Sequence, residues 1–275
     1  MKIAIVGLGL IGGSMAKALK MYTDHEVWGL EQKKDSAQQA FAQGAVDRLI
    51  DPQDLKECDL IILALYPETA CQFLIDNQNN IGQKATVTDL CGIKRRICSL
   101  GEKLGNEHGF TFIGGHPMAG KEVWGFENAC GDLFEGASMI LTTSERTPER
   151  KLFELVYLYK KIRFGRITIT TPEEHDAEIA YTSQLAHILS SAYVKSPAAQ
   201  KHVGFSAGSF QDLTRVASMN EQMWSGIFLE NQEELLKQID ILIFHLQQYR
   251  DTIASGDRET LISLLKTGSD IKRNL

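Results

Sequence analysis

Seven consecutive residues, Gly114-Gly115-His116-Pro117-Met118-Ala119-Gly120, carry the clearest chemistry in this chain. Histidine is the side chain whose ordinary pKa suits proton transfer near neutrality. The apolar, β-type run Phe110-Thr111-Phe112-Ile113 leads into it. His116 is therefore expected on a loop just past a strand's carboxyl end, the edge at which open α/β sheets bind their ligands. The glycines on either side are expected to let the backbone crowd a ligand without side-chain obstruction. An isolated histidine so placed more often caps a turn, and it is the motifs elsewhere in the chain that favour a chemical role.

The strongest of these motifs is Gly7-Leu8-Gly9-Leu10-Ile11-Gly12-Gly13-Ser14, which follows the apolar run Lys2-Ile3-Ala4-Ile5-Val6 and opens a helix-forming stretch. A glycine pattern between a strand and a helix is the context a dinucleotide fingerprint requires. Gly7 would permit the tight turn, Gly9 the approach of backbone to a pyrophosphate, and Gly12 the packing of helix on strand. Leu10 and Ile11 complete the loop at the helix N-terminus, where phosphate charge is attracted. Glu31 ends the next strand, 19 residues after Gly12. A carboxylate there can accept hydrogen bonds from ribose hydroxyls and repel a 2′-phosphate, which points to NAD. Lys33 and Lys34 follow closely, so NADP stays open. Leu65, in the loop after the apolar strand at 59–64, is placed to cover the cofactor.

These residues need a scaffold, and the chain alternates strand and helix patterns as far as residue 170. Such alternation makes a mostly parallel sheet, here a Rossmann-type α/β domain over residues 1–170. From residue 171 the pattern is all helical. Thr171-Pro172-Glu173-Glu174 reads as a capping box with Glu174 reaching back, opening a long helix to about residue 194. That helix carries His175, Ser183, Gln184 and His187, and the last-named histidine shares a face with Ser183 four residues before it. A further helical stretch holds Asp212-Leu213-Thr214-Arg215. Residues 220–253 form another, with Leu235, Ile239, Leu242, Ile243, Leu246 and Tyr249 at helical spacing, the mark of a bundle core or a subunit interface. The expected division is thus 1–170 and 171–275.

Composition narrows the function. With 35 acidic against 29 basic residues, a net charge of −6 argues against a nucleic-acid partner. The one tight basic cluster, Lys94-Arg95-Arg96, is expected to be a solvated helix face. Five cysteines without metal-ligand spacing read as free thiols in a reducing compartment, and no metal is expected. The longest aliphatic run is too short for a bilayer and no secretory segment is evident, so the expected location is the cytoplasm.

Taken in order, Gly7 to Ser14, Gly115 to Gly120, Ser183 to His187, and Asp212-x-Thr214-Arg215 followed by Trp224 resemble the prephenate/arogenate dehydrogenase family of tyrosine biosynthesis. The resemblance implies NAD-dependent oxidative decarboxylation of prephenate, with a helical domain that forms a homodimer. It implies that His116 polarises the substrate's C4 hydroxyl and that Arg215 binds a carboxylate, as a planar bidentate guanidinium suits. Ser183, His187 and Glu122 match positions around the substrate, and Asp212 and Trp224 match supporting positions. Some members carry a C-terminal regulatory domain; with the sequence ending at Leu275, none is expected.

Three departures stand out. Members usually carry a serine after the strand at 86–89, where this chain has Gly92 beside Cys91. Gln184 stands where many have histidine, and Ala186 where many have proline. Arogenate as substrate stays open, as does a dinucleotide sensor with a weakened site. A β-hydroxyacid dehydrogenase or imine reductase would be expected to place lysine or aspartate where the helical half offers Ser183 and His187.

Overall fold

The computed structural model describes residues 1–121 and 123–275. The chain divides into two compact units, the first made of Met1–Ile179 with Met219–Glu230, the second of Ala180–Ser218 with Asn231–Leu275.

The strands are β1 (Lys2–Val6), β2 (Glu26–Leu30), β3 (Arg48–Leu49), β4 (Leu60–Leu63), β5 (Thr86–Asp89), β6 (Thr111–Pro117), β7 (Ser138–Thr142) and β8 (Arg166–Thr170). The helices are α1 (Leu10–Tyr22), α2 (Lys34–Ala42), α3 (Pro67–Asn77), α4 (Arg95–His108), α5 (Glu149–Lys161), α6 (Pro172–Ile179), α7 (Ala186–Tyr193), α8 (Gly208–Thr214), α9 (Glu221–Glu230), α10 (Gln232–Ser255) and α11 (Arg258–Asn274).

The first unit is one sheet in the order β3-β2-β1-β4-β5-β6-β7-β8. Its first six strands have the order of a dinucleotide-binding Rossmann sheet. All pairs are parallel except β6 with β7. A parallel sheet is covered on both faces, and the alternation along β1 shows it. Ile3 and Ile5 pack with Met15 and Leu19 of α1 on one side. Ala4 and Val6 pack with Trp28, Ile61 and Leu74 on the other. The register aligns Val6 with Leu63 and Leu63 with Asp89, so β1, β4 and β5 end level at the carboxyl edge.

β6 changes partner partway along. Residues 111–113 pair with β5 in parallel, and 114–117 pair with β7 in antiparallel register, His116 opposite Ile140. His116 therefore stands within the end of a strand and not on the loop expected from sequence. The flanking glycines make room for protein first: a Cβ on Gly114 would fall 2.2 Å from Thr142 Oγ1, and one on Gly115 would fall 2.6 Å from the Asp89 carbonyl oxygen.

The first unit runs past residue 170 through α6, because side chains of that helix are tied to the start of α4. Beyond Ile179 the expected single helix is interrupted by a π-helical turn over Ala180–Leu185 before α7 resumes it. Such turns leave carbonyls without their usual i+4 partners, and His187 Nδ1 lies 2.9 Å from the Ser183 carbonyl oxygen. The capping reading changes as well. Thr171 Oγ1 accepts the Glu174 N–H, but the Glu174 carboxylate accepts from Thr170 Oγ1 at 2.5 Å instead of reaching back to Thr171. The helix expected over 220–253 is broken at Asn231, a buried residue whose Nδ2 donates to Gln184 Oε1 at 3.0 Å. α10 ends at Gly256 in the left-handed region, and Asp257 then caps α11.

Candidate active site

The glycine loop joins β1 to α1. Gly7 has φ +90°, and a Cβ there would lie 2.6 Å from the Ala64 carbonyl oxygen. A Cβ on Gly12 would lie 1.9 Å from the Gly7 carbonyl oxygen, so α1 can sit on β1 only with glycine at that position. Gly9 has open space where its side chain would be, as a loop receiving a ligand requires. Leu10 and Ile11 form the start of α1, which has no acidic residue in its first turn to oppose an anion. Glu31 reaches this loop directly. Its Oε2 accepts the Leu8 N–H at 2.7 Å and its Oε1 accepts the Lys33 N–H at 2.9 Å. Leu65 lies over Gly7, and its carbonyl oxygen accepts the Cys91 thiol at 3.4 Å. That contact links the glycine loop to the turn between β5 and α4.

This turn is where the structure departs most from the sequence reading. Lys94, expected on a solvated face, is completely buried. Its Nζ pairs with Asp89 and donates to the Gly115 carbonyl oxygen at 2.7 Å. Asp89 in turn accepts the Gly115 N–H at 3.1 Å and the Cys91 N–H at 2.9 Å. The ion pair thus grips the backbone of the residue preceding His116 from both sides. A lysine forced into a low-dielectric site needs this partner. Burial works against the Lys94 charge, and Asp89 outweighs it, holding the pKa above the ordinary value.

His116 does not stand alone. Its Nδ1 is 2.9 Å from His175 Nε2, and His175 Nδ1 is 2.8 Å from Asp176 Oδ1. Asp176 also accepts the N–H groups of Lys94 at 2.8 Å and Arg95 at 3.0 Å, so it caps α4 from across the unit. Burial, then His175 and the Lys94 charge, push the His116 pKa well below 6.5. Burial also lowers His175, against the opposing pull of Asp176. Both rings are therefore neutral at pH 7, and His116 keeps a partly exposed edge. His116 Nε2 faces Gly92, 3.8 Å from where a Cβ would stand.

The sequence places His175 on the long helix and Lys94 on a solvated face, and assigns neither of them, nor Asp89 or Asp176, to the site. The available signals were an acid ending an apolar strand and a His-Asp pair one turn into a capped helix.

Of the other expected site residues, Ser183, His187 and Arg215 belong to the second unit. Ser183 and His187 are partly buried on the π turn and α7. Arg215 follows the last turn of α8, its N–H bonded to the Gln211 carbonyl oxygen at 3.0 Å, and is exposed. Trp224 belongs to the first unit, on α9, with its ring 5.3 Å from that of Phe228. Glu122 lies outside the described residues. All five cysteines are free. Among the described residues no acidic, cysteine and histidine side chains cluster as a metal site, and no helix is long and apolar enough to cross a membrane.

Strand order and glycine loop define a dinucleotide-binding α/β unit, with a hydrogen-bonded pair of histidines at the sheet's carboxyl edge. Residues 15–168 match the nucleotide-binding domain of prephenate dehydrogenase, and residues 171–267 match its dimerization domain. The chain belongs to the prephenate dehydrogenase family. It is 29% identical to the prephenate dehydrogenase of Bacillus subtilis, over 99% of this chain and 76% of that protein. Among solved structures, Synechocystis arogenate dehydrogenase is similar at 28% identity and a TM-score of 0.86, with both chains fully covered. Prephenate dehydrogenase from Aquifex aeolicus, in complex with hydroxyphenyl propionate and NAD+, is similar at 28% identity and a TM-score of 0.85, covering 99% of this chain and 97% of that one. Family membership sets aside the β-hydroxyacid dehydrogenase and imine reductase readings.

Proposed function

We propose that this protein is an NAD-dependent prephenate dehydrogenase that converts prephenate to 4-hydroxyphenylpyruvate by oxidative decarboxylation. The observation that carries the reading is His116 itself, a neutral histidine at the sheet's ligand edge with a partly exposed ring and a backbone held by the Lys94–Asp89 pair. Support comes from the family and from the Aquifex relative with NAD+ bound.

The residues present fit the cofactor. Gly7, Gly9 and Gly12 leave a loop open to a pyrophosphate, with Leu10 and Ile11 presenting the α1 N-terminus. Glu31 would accept hydrogen bonds from the ribose hydroxyls, and Leu65 lies over the loop. The carboxylate of Glu31 disfavours a 2′-phosphate, which is the reason for choosing NAD over NADP. When bound, NAD+ supplies the acceptor for the hydride that leaves C4 of the substrate. His116 accepts the proton of the C4 hydroxyl at Nε2, and returns it to the phenolate oxygen once loss of CO2 has made the ring aromatic. Arg215 is assigned a substrate carboxylate, and Ser183 and His187 further substrate contacts, as the family resemblance implies. The first unit serves the cofactor. The helical unit serves substrate binding and homodimer formation, for which α10 offers exposed Ile241, Ile243, Phe244 and Leu246. Free thiols suit a cytoplasmic location.

The likeness to Synechocystis arogenate dehydrogenase favours arogenate as the second reading, since the two substrates share the carboxylates and C4 hydroxyl and differ in keto against amino. The test mixes purified protein with NAD+ and either prephenate or arogenate and follows absorbance of the reduced cofactor. Faster turnover of prephenate supports the first reading, and faster turnover of arogenate the second. Tight NAD+ binding without turnover of either substrate would leave a sensor.

A further inference from the structure

We infer that Asp176 and His175 are positioning residues that fix the tautomer of His116, keeping its Nε2 bare to receive the substrate proton. The inference rests on His116 being the base in the reaction proposed above, and it takes over the task for which relatives are expected to use a serine at the position of Gly92.

Hydrogen-bond direction sets the tautomers along this line. A carboxylate only accepts, and Asp176 is held in place by two backbone donors, the N–H groups of Lys94 and Arg95. His175 must therefore donate to Asp176 Oδ1 from Nδ1, across 2.8 Å. A neutral imidazole with its proton on Nδ1 offers Nε2 only as an acceptor. His116 lies 2.9 Å from that atom through its own Nδ1, so His116 donates from Nδ1 and its Nε2 carries the lone pair. Burial leaves little room for another solution: His175 is 2% exposed and Asp176 1%.

When His116 takes the substrate proton at Nε2, its Nδ1–H stays donated to His175 and the His175 Nδ1–H stays donated to Asp176. The new positive charge is countered along this line without a second proton transfer, and the proton goes back from Nε2 to the phenolate oxygen. Other charged groups around the line are Lys94 and Asp89 at the β5–α4 turn, Arg96 on α4, and Glu230 on α9, which feels both Asp176 and Lys94. Lys94 disfavours the imidazolium, which makes the Asp176 charge the needed counterweight.

The test is nitrogen-15 NMR of the full chain labelled at histidine, with His116 assigned by loss of its signals in His116→Asn. The wild-type protein above pH 7 is expected to show His116 protonated on Nδ1 and bare on Nε2. In Asp176→Asn the amide can donate to His175, reversing both hydrogen bonds, so His116 should move to the Nε2–H form. Its kcat should fall by about two to four orders of magnitude while KM for prephenate changes by a few-fold, as expected when an orienting carboxylate is lost. His175→Phe, which leaves the α4 cap intact, should also lower kcat and move the acid limb of the pH profile. The inference is overturned if wild-type His116 is protonated on Nε2, or if both variants, folded by thermal melting, keep the wild-type kcat and pH profile. Should the tautomer be as expected but His116→Asn retain turnover, the proposed reaction fails and the tautomer assignment stands.

Discussion

Lys94 and Asp89 form an ion pair with no exposure of either side chain, and both close on the backbone of Gly115. Removing one partner of such a pair strands the other charge in the interior, at a cost of about 3–5 kcal/mol. Lys94→Met is expected to lose that much stability by urea titration. Retention of wild-type stability would show that Asp89 finds another partner.

The pH dependence follows from the histidines. Folding holds both His116 and His175 below the ordinary 6.5, so below that pH the unfolded chain binds more protons than the folded one. Stability from these groups is fully present above pH 6.5 and is lost as pH falls toward the folded values. For the same reason the acid limb of the kcat/KM profile should lie below pH 6.5. A limb at or above 6.5 would place the essential base elsewhere.

Glu31 accepts two backbone N–H groups beside the glycine loop. A hydrogen bond to a charged group is worth about 1.5–3 kcal/mol, so Glu31→Ala should raise KM for NAD+ by about tenfold or more and narrow the preference over NADP+. The kcat at saturating cofactor should change little. Steady-state kinetics with both cofactors checks this.

Arg215 is placed on the helical unit and assigned to a substrate carboxylate. Arg215→Ala is expected to raise KM for prephenate by about tenfold or more, the worth of a charge-assisted bidentate contact. Wild-type binding of NAD+, measured by fluorescence, should be retained. An unchanged KM would return Arg215 to a helix-end structural role.

On α10, Phe244 is 59% and Ile243 57% exposed in the single chain. Burial of such side chains contributes about 1.5–3 kcal/mol each. Phe244→Asp should shift the protein toward monomer by sedimentation at micromolar concentration, and a dimer undisturbed by the charge would move the interface off this face.

How much the sequence alone determined is clearest at the two glycine motifs. Around Gly7 and Gly12 the constraint is local, since a strand, a turn of positive φ and a helix follow one another within a few residues, so pattern and spacing sufficed. The Rossmann-type fold class was legible for the same reason, each strand–helix unit announcing itself, while the strand order came from the folded sheet. Around His116 the constraint is not local. Lys94 sits in a basic triplet that reads as surface, and only the folded sheet shows that Asp89 and the Gly115 backbone enclose its ammonium group. His175 and Asp176 are 59 and 60 residues from His116 in sequence, and no periodicity connects them. The breaks at Ala180–Leu185 and Asn231 are likewise set by tertiary contacts, as with the buried Asn231–Gln184 bond. The sequence determined that a histidine would stand at the ligand edge of a dinucleotide-binding sheet. The tertiary structure decided which nitrogen of that histidine faces outward, because hydrogen-bond direction is passed between side chains that meet only when the chain is folded.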